Sequence, residues 1–184
     1  MKPCWLFETQ EPIRVFLPAA ARIIKGDLTV CFEHAHTPPR VIQFYSQHRS
    51  RYRYKPERDT ISPRTRLFYC RLTPEFTDRV LEMAQVFAIK DMLWHMRGYD
   101  EKRLIFYSHD ACDGADVVAS PLLPEALIRH LGREAHCDVE RTKTLINWEE
   151  IIRIGNSEPD GAANGSQPIR SERNRTLSAA GSRR

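Results

Sequence analysis

Residues 103–118 read RLIFYSHDACDGADVV. An apolar run, Leu104-Ile105-Phe106-Tyr107, stops at Ser108-His109-Asp110, and Cys112, Asp113, Gly114 and Asp116 follow. A short apolar run bounded by turn-forming residues describes a buried strand leading into a loop. In open sheets covered by helices, ligands gather in the loops beyond the carboxyl ends of strands. This stretch therefore puts a sheet at the centre of the fold and a polar loop at its end.

Upstream, Thr73 offers an N-cap, Pro74 fits the first helical position and Glu75 places negative charge in the first turn. Phe76, Val80, Met83, Ala84, Phe87 and Trp94 recur at helical spacings, so a helix is predicted over about 74–97, with Gly98 ending it. A strand at 66–72 precedes this helix and the strand at 103–108 follows it. Together they form a βαβ unit over about 66–108. Downstream, Pro124–Leu131 should be helical and closed by Gly132, residues 136–142 a strand, and Asn147-Trp-Glu-Glu150 a capping box opening a short helix through Ile154.

The N-terminal part looks richer in hairpins. CWLFE (4–8) and IRVFL (13–17) read as strands around a Thr-Gln-Glu-Pro turn, and 18–26 as a short helix. Residues 28–33 and 41–46 read as a second hairpin whose loop, HAHTPPR, carries His34 and His36. The fold class is α/β or α+β, a mixed β-sheet packed by helices. Residues 1–155 form one globular domain. From residue 156 to 184 Gly, Ala, Asn, Ser and Arg replace the apolar residues, so that segment reads as a disordered basic tail.

Hydrophobic content of 41% and charged content of 28% suit a globular chain. No apolar run is long enough for a membrane helix and no secretory leader is evident, so the expected location is cytoplasmic. Five cysteines at wide spacings, with no Cys-x-x-Cys, argue against a disulfide framework. The formal charge of +4 is uneven. Residues 47–66 hold seven basic groups against Glu57 and Asp59, and outside this segment and the tail the chain is mildly acidic.

That basic segment suggests nucleic acid as a partner. Arginine guanidinium groups pair with phosphate, and tyrosines between them stack on unpaired bases. Arg49, Arg51, Tyr52, Arg53, Tyr54, Lys55 and Arg58 are the candidate contacts, for RNA or single-stranded DNA. The competing reading is a solvated loop whose charges guard a sheet edge. A second candidate function is a hydrolase or phosphoryl-transfer enzyme, with His109, Asp110 and Asp113 as catalytic residues at the strand end. Against it stands plain turn chemistry, with aspartates capping amides. A third is an adaptor that binds another protein through the wide apolar face of helix 74–97. A zinc site from His34, His36, His109, Cys112, His136 and Cys137, and a Cys112 nucleophile, are weaker options. No motif names a cofactor.

Overall fold

The computed structural model describes residues 1–54, 65–100, 103–114, 116–146 and 148. Seven strands form one sheet: β1 (Lys2–Glu8), β2 (Thr29–His34), β3 (Arg66–Arg71), β4 (His95–Tyr99), β5 (Leu104–Ser108), β6 (Val117–Ala119) and β7 (Asp138–Thr144). Their order is β3-β2-β4-β5-β6-β1-β7, and every neighbouring pair is antiparallel. The helices are α1 (Leu17–Ile23), entered through a wide π turn at Pro12–Phe16, α2 (Pro39–Gln47), α3 (Pro74–Met83), α4 (Ile89–Met92) and α5 (Glu125–Glu134). The fold is α+β. The expected tail at 156–184 and the short helix expected after Asn147 lie outside the described residues.

One sheet face carries the helices. The cross-strand row Trp5, Ala119, Phe106, Gly98, Val30 and Cys70 lies on it, as does Phe32. Against these pack Ile13, Phe16, Leu17 and Ala20 from the first helical segment, Val41, Phe44 and Tyr45 from α2, Phe76 and Val80 from α3, and Ile128 and Leu131 from α5. Phe76 stacks on Phe44, with ring centroids 5.5 Å apart and planes 1° from parallel. Burying one such ring is worth about 1.5–3 kcal/mol. The register slips at Gly98/Tyr99, so that Ile105 and Phe106 both enter this core while Leu104 joins the opposite face.

Several expectations need correction. Residues 13–17 and 41–46 are helical, not strands, so neither expected hairpin forms. Ile13, Phe16, Leu17, Ala20 and Ile24 make a helical stripe, and Pro39 opens α2 at its first helical position instead of interrupting strand pairing. β1 pairs instead with β6 and β7. The helix expected over 74–97 ends at Met83, and 95–99 is a strand. The βαβ unit exists in split form. β3 and β4 both run antiparallel to β2, hence parallel to each other with β2 between them. Its second strand is β4 rather than 103–108, which turns back antiparallel. On α3, Phe76 and Val80 are fully buried in the core, and Met83 is partly buried against it. Among the described residues no helix is long and apolar enough to cross a membrane.

Local chemistry settles two helix ends. Thr73 Oγ1 accepts the Phe76 N–H at 3.2 Å, as its N-cap role requires. Gly132 does not close α5. His136, at φ 52°, takes the left-handed position, and the Cys137 and His136 amides donate to the Gly132 and Arg133 carbonyls at 3.0 and 3.2 Å. Gly132 is small for another reason: a Cβ there would lie 2.4 Å from Val139 Cγ2 on β7.

Candidate active site

The second sheet face, away from α1–α5, holds the polar groups. Period-two alternation puts Cys31 and Glu33 of β2, His95, Arg97 and Tyr99 of β4, and Tyr107 of β5 on this side. Cross-strand pairing aligns Leu67, Glu33 and His95 in one row, and Tyr69, Cys31, Arg97 and Tyr107 in the next. His109, just past β5, extends the first row, its ring centroid 4.4 Å from that of His95.

Arg97 and Glu33 form the floor. The Arg97 Nη1 donates to Glu33 Oε2 at 3.0 Å, with Glu33 wholly buried and Arg97 4% exposed. The guanidinium also lies over the Tyr107 ring, 5.4 Å from its centroid. So enclosed a cation is part of the scaffold rather than a surface ligand for a substrate.

Above this floor sits Asp110, between two histidines. Its backbone adopts φ 50°, a left-handed conformation that aspartate tolerates better than most residues. The turn directs its amide at buried His95, donating to Nδ1 at 3.0 Å. With that nitrogen acting as acceptor, the neutral ring carries its proton on Nε2. The 3.6 Å approach of Asp110 Oδ1 to the same nitrogen is therefore no second bond in the neutral ring, which has no Nδ1 proton to give. The other carboxylate oxygen, Oδ2, lies 2.9 Å from Nδ1 of His109. A carboxylate only accepts, so His109 carries its proton on Nδ1 and presents Nε2 as a basic nitrogen. His109 and Asp110 are both exposed, and both rest on a buried anchor.

The ligand atoms of His95, His109 and Asp110 all lie within 4.8 Å of one another, a spacing that also invites a cation. As arranged, the Asp110 amide already occupies His95 Nδ1, so an ion binding through that nitrogen has to displace a hydrogen bond. The geometry suits a hydrogen-bonded acid–base cluster better.

Of the three catalytic candidates, His109 and Asp110 meet, and Asp113 does not join them. Asp113 is exposed in the following turn, where its amide donates to the Asp110 carbonyl at 2.9 Å. Asp116 plays a structural part, since its Oδ1 accepts the Thr9 amide at 3.1 Å. Burial and the neighbouring Asp113 push the Cys112 thiol up to about 11, so it is no activated nucleophile at neutral pH. Glu33, His95 and Arg97 are not evident as site residues in the sequence. The one available signal is the alternation His95-x-Arg97-x-Tyr99, hidden inside an expected helix.

The scattered zinc ligands do not converge. His34 lies on the helix side of the sheet, opposite His109, with Nδ1 3.1 Å from Thr37 Oγ1 and accepting the His36 amide at 3.2 Å. His136 and Cys137 stand beyond α5, beside β7. Burial is the main cause that lowers the His34 pKa below its ordinary 6.5. The unfolded chain thus binds a proton that the native state resists. His34 should make stability fall as pH drops below 6.5 towards the depressed native value, and contribute no slope above 6.5. Urea denaturation across that range should show the slope in the parent and a shallower one in His34→Gln. Equal slopes would contradict the assignment.

The described part of the basic segment pairs with the edge of the sheet. The Ser50 amide donates to the Tyr69 carbonyl at 2.8 Å and the Arg71 amide to the His48 carbonyl at 2.9 Å, adding a short rung to the β3 edge. Arg51 is tied to Asp27 at 2.6 Å and covers the Tyr52 ring. Tyr54 is buried, stacked on Tyr99 with centroids 4.1 Å apart, its hydroxyl donating to the Asp100 carbonyl at 2.9 Å. It offers no ring face to a base. Arg49 and Arg53 line one cavity with Ser46, Leu67 and Tyr69. Lys55 and Arg58 lie outside the described residues. Tyr54 and the His95 cluster share one sheet face, at opposite ends of β4.

No protein-family model matches the chain, and neither a curated protein nor a solved structure is significantly similar to it.

Proposed function

We propose that the protein is an enzyme of the hydrolase or phosphoryl-transfer class, with His109 as general base and Asp110 as its orienting carboxylate. One observation carries this reading. A solvent-facing His109 is held by a carboxylate whose own backbone is locked, in a left-handed turn, onto a buried histidine. A bare turn does not need that third group, whereas a base with a fixed tautomer does. His95 acts as a positioning residue, and the Glu33–Arg97 pair keeps β2 and β4 in register beneath it.

The reaction follows from the groups present. Nε2 of His109 takes a proton from water, or from a substrate hydroxyl, as that oxygen attacks an electrophilic centre. The Asp110 carboxylate stabilises the resulting imidazolium, which returns the proton to the leaving oxygen. The raised Cys112 thiol argues for water or a hydroxyl as nucleophile rather than a covalent thiol route.

The test is turnover of chromogenic phosphomonoesters, phosphodiesters and carboxylic esters by the parent, His109→Ala and Asp110→Asn. For the ester class accepted, His109→Ala should lose about 10²–10⁴-fold in kcat, the range of a positioned general base. Asp110→Asn should fall in the same direction. A His109→Ala protein that is folded and as fast as the parent ends the reading. A chelator that abolishes the parent rate would instead favour a metal on the same three side chains.

A further inference from the structure

The Arg49–Arg53 cavity shares no lining residue with the His95–His109–Asp110 cluster. It lies at the β3 edge, encloses about 330 Å³, and is lined by Tyr45, Ser46, Arg49, Arg53, Leu67, Phe68 and Tyr69. None of these described lining residues is acidic. We propose that this cavity binds the phosphate of a nucleotide unit, either free or within a single strand of RNA.

Three observations support the assignment. First, the two arginines arise from a pinned backbone rather than a solvated loop. The rung at Arg49/Cys70 and the amide of Ser50 fix one end, and buried Tyr54, stacked on Tyr99, fixes the other. A segment whose backbone is already fixed loses less entropy when it grips a ligand. Second, the segment sorts its charges. Arg51, in the middle, pairs with Asp27, and Arg49 and Arg53 both line one hollow. Each guanidinium has five donors in a planar fork that matches two phosphate oxygens. Third, the remaining wall is Leu67, Phe68 and Tyr69, apolar and aromatic surface beside a cationic one, and its volume falls at the small end of ligand cavities. That combination fits a phosphate carrying a flat apolar body better than a bare anion.

This inference stands apart from the His109 reading, since it uses no residue of that cluster. The experiment titrates the full chain with adenosine monophosphate, with adenosine, and with a short fluorescently labelled RNA single strand. The parent should bind the phosphorylated ligands, and binding should weaken as salt rises. Arg49→Glu and Arg53→Glu should each weaken it about tenfold or more, the worth of a charge-assisted hydrogen bond. Arg49→Lys and Arg53→Lys, which keep the charge and the local fold, should lose less. Binding of RNA alone would assign the polymer as the source, and of the monophosphate alone the free nucleotide. The proposal falls if neither phosphorylated ligand binds. It falls equally if adenosine binds as well as its monophosphate, or if both Arg→Glu variants, folded by circular dichroism, bind like the parent.

Discussion

Replacing Arg97 by methionine should lower the unfolding free energy by about 3–5 kcal/mol, the cost of removing one partner of a buried ion pair. The reason lies in Glu33, which has no exposed surface and receives the Arg97 guanidinium at 3.0 Å. Methionine fills a similar volume, so packing against Tyr107 survives in part. What disappears is the cation that offsets a desolvated carboxylate in the middle of the sheet. Glu33→Gln should cost less, because a neutral amide replaces the charge and still accepts a hydrogen bond. The double variant Glu33→Gln/Arg97→Met should recover much of the loss, since no unpaired charge is left. Urea midpoints of the four proteins form the cycle. If Arg97→Met alone costs under about 1 kcal/mol, the magnitude expected of exposed pairs, the ion pair is not an enclosed floor.

Glu33 and Arg97 also mark where sequence reading stops. His109 and Asp110 are chain neighbours in a turn, so their meeting is a local matter and is legible. Glu33, His95 and Arg97 come together only through the register of β2 on β4, which nothing short of the folded sheet specifies. The strand carrying two of them is itself disguised. His95–Tyr99 is buried on both faces, so it shows no in-and-out polarity, and Trp94 and Met96 continue a helical spacing by coincidence. No Gly or Pro near Met83 announces the end of α3. Elements bounded by chemistry fare better. Thr73-Pro74 opens α3 as expected, and the strands at 66–71, 104–108 and 138–144 lie close to their expected bounds. At 13–17 and 41–46, β-branched and aromatic residues favour strand by composition, but burial of a helical stripe against the sheet overrides that preference.

Gly98→Ala should destabilise by roughly 3 kcal/mol, at the upper end of ordinary overpacking, and Gly98→Val by more. By its sequence context Gly98 looks like a helix terminator. In β4 it serves a different purpose, because its cross-strand partner Phe106 lays its ring over the bare Cα. A Cβ at 98 would stand 2.1 Å from Cε1 and Cζ of that ring. The ring has little room to retreat. Phe106 is wholly buried and meets Phe16 edge-on at 5.1 Å, and Phe16 meets Phe7 edge-on at 5.0 Å. A push at 98 is thus passed through three rings to β1. The lower chain entropy of alanine in the unfolded state returns only about 0.4–1 kcal/mol, so the clash decides the sign. Phe106→Leu in the Gly98→Ala background should restore part of the stability, although Phe106→Leu is harmful alone. Gly26 provides the contrast: a Cβ there meets nothing within 4 Å, so its substitution is opposed only by the backbone at φ 121°. Thermal melts of these variants separate steric from conformational demand. A Gly98→Ala protein as stable as the parent would mean that Phe106 does not hold the place assigned to it, and with it the β4–β5 register that sets His95 beside His109.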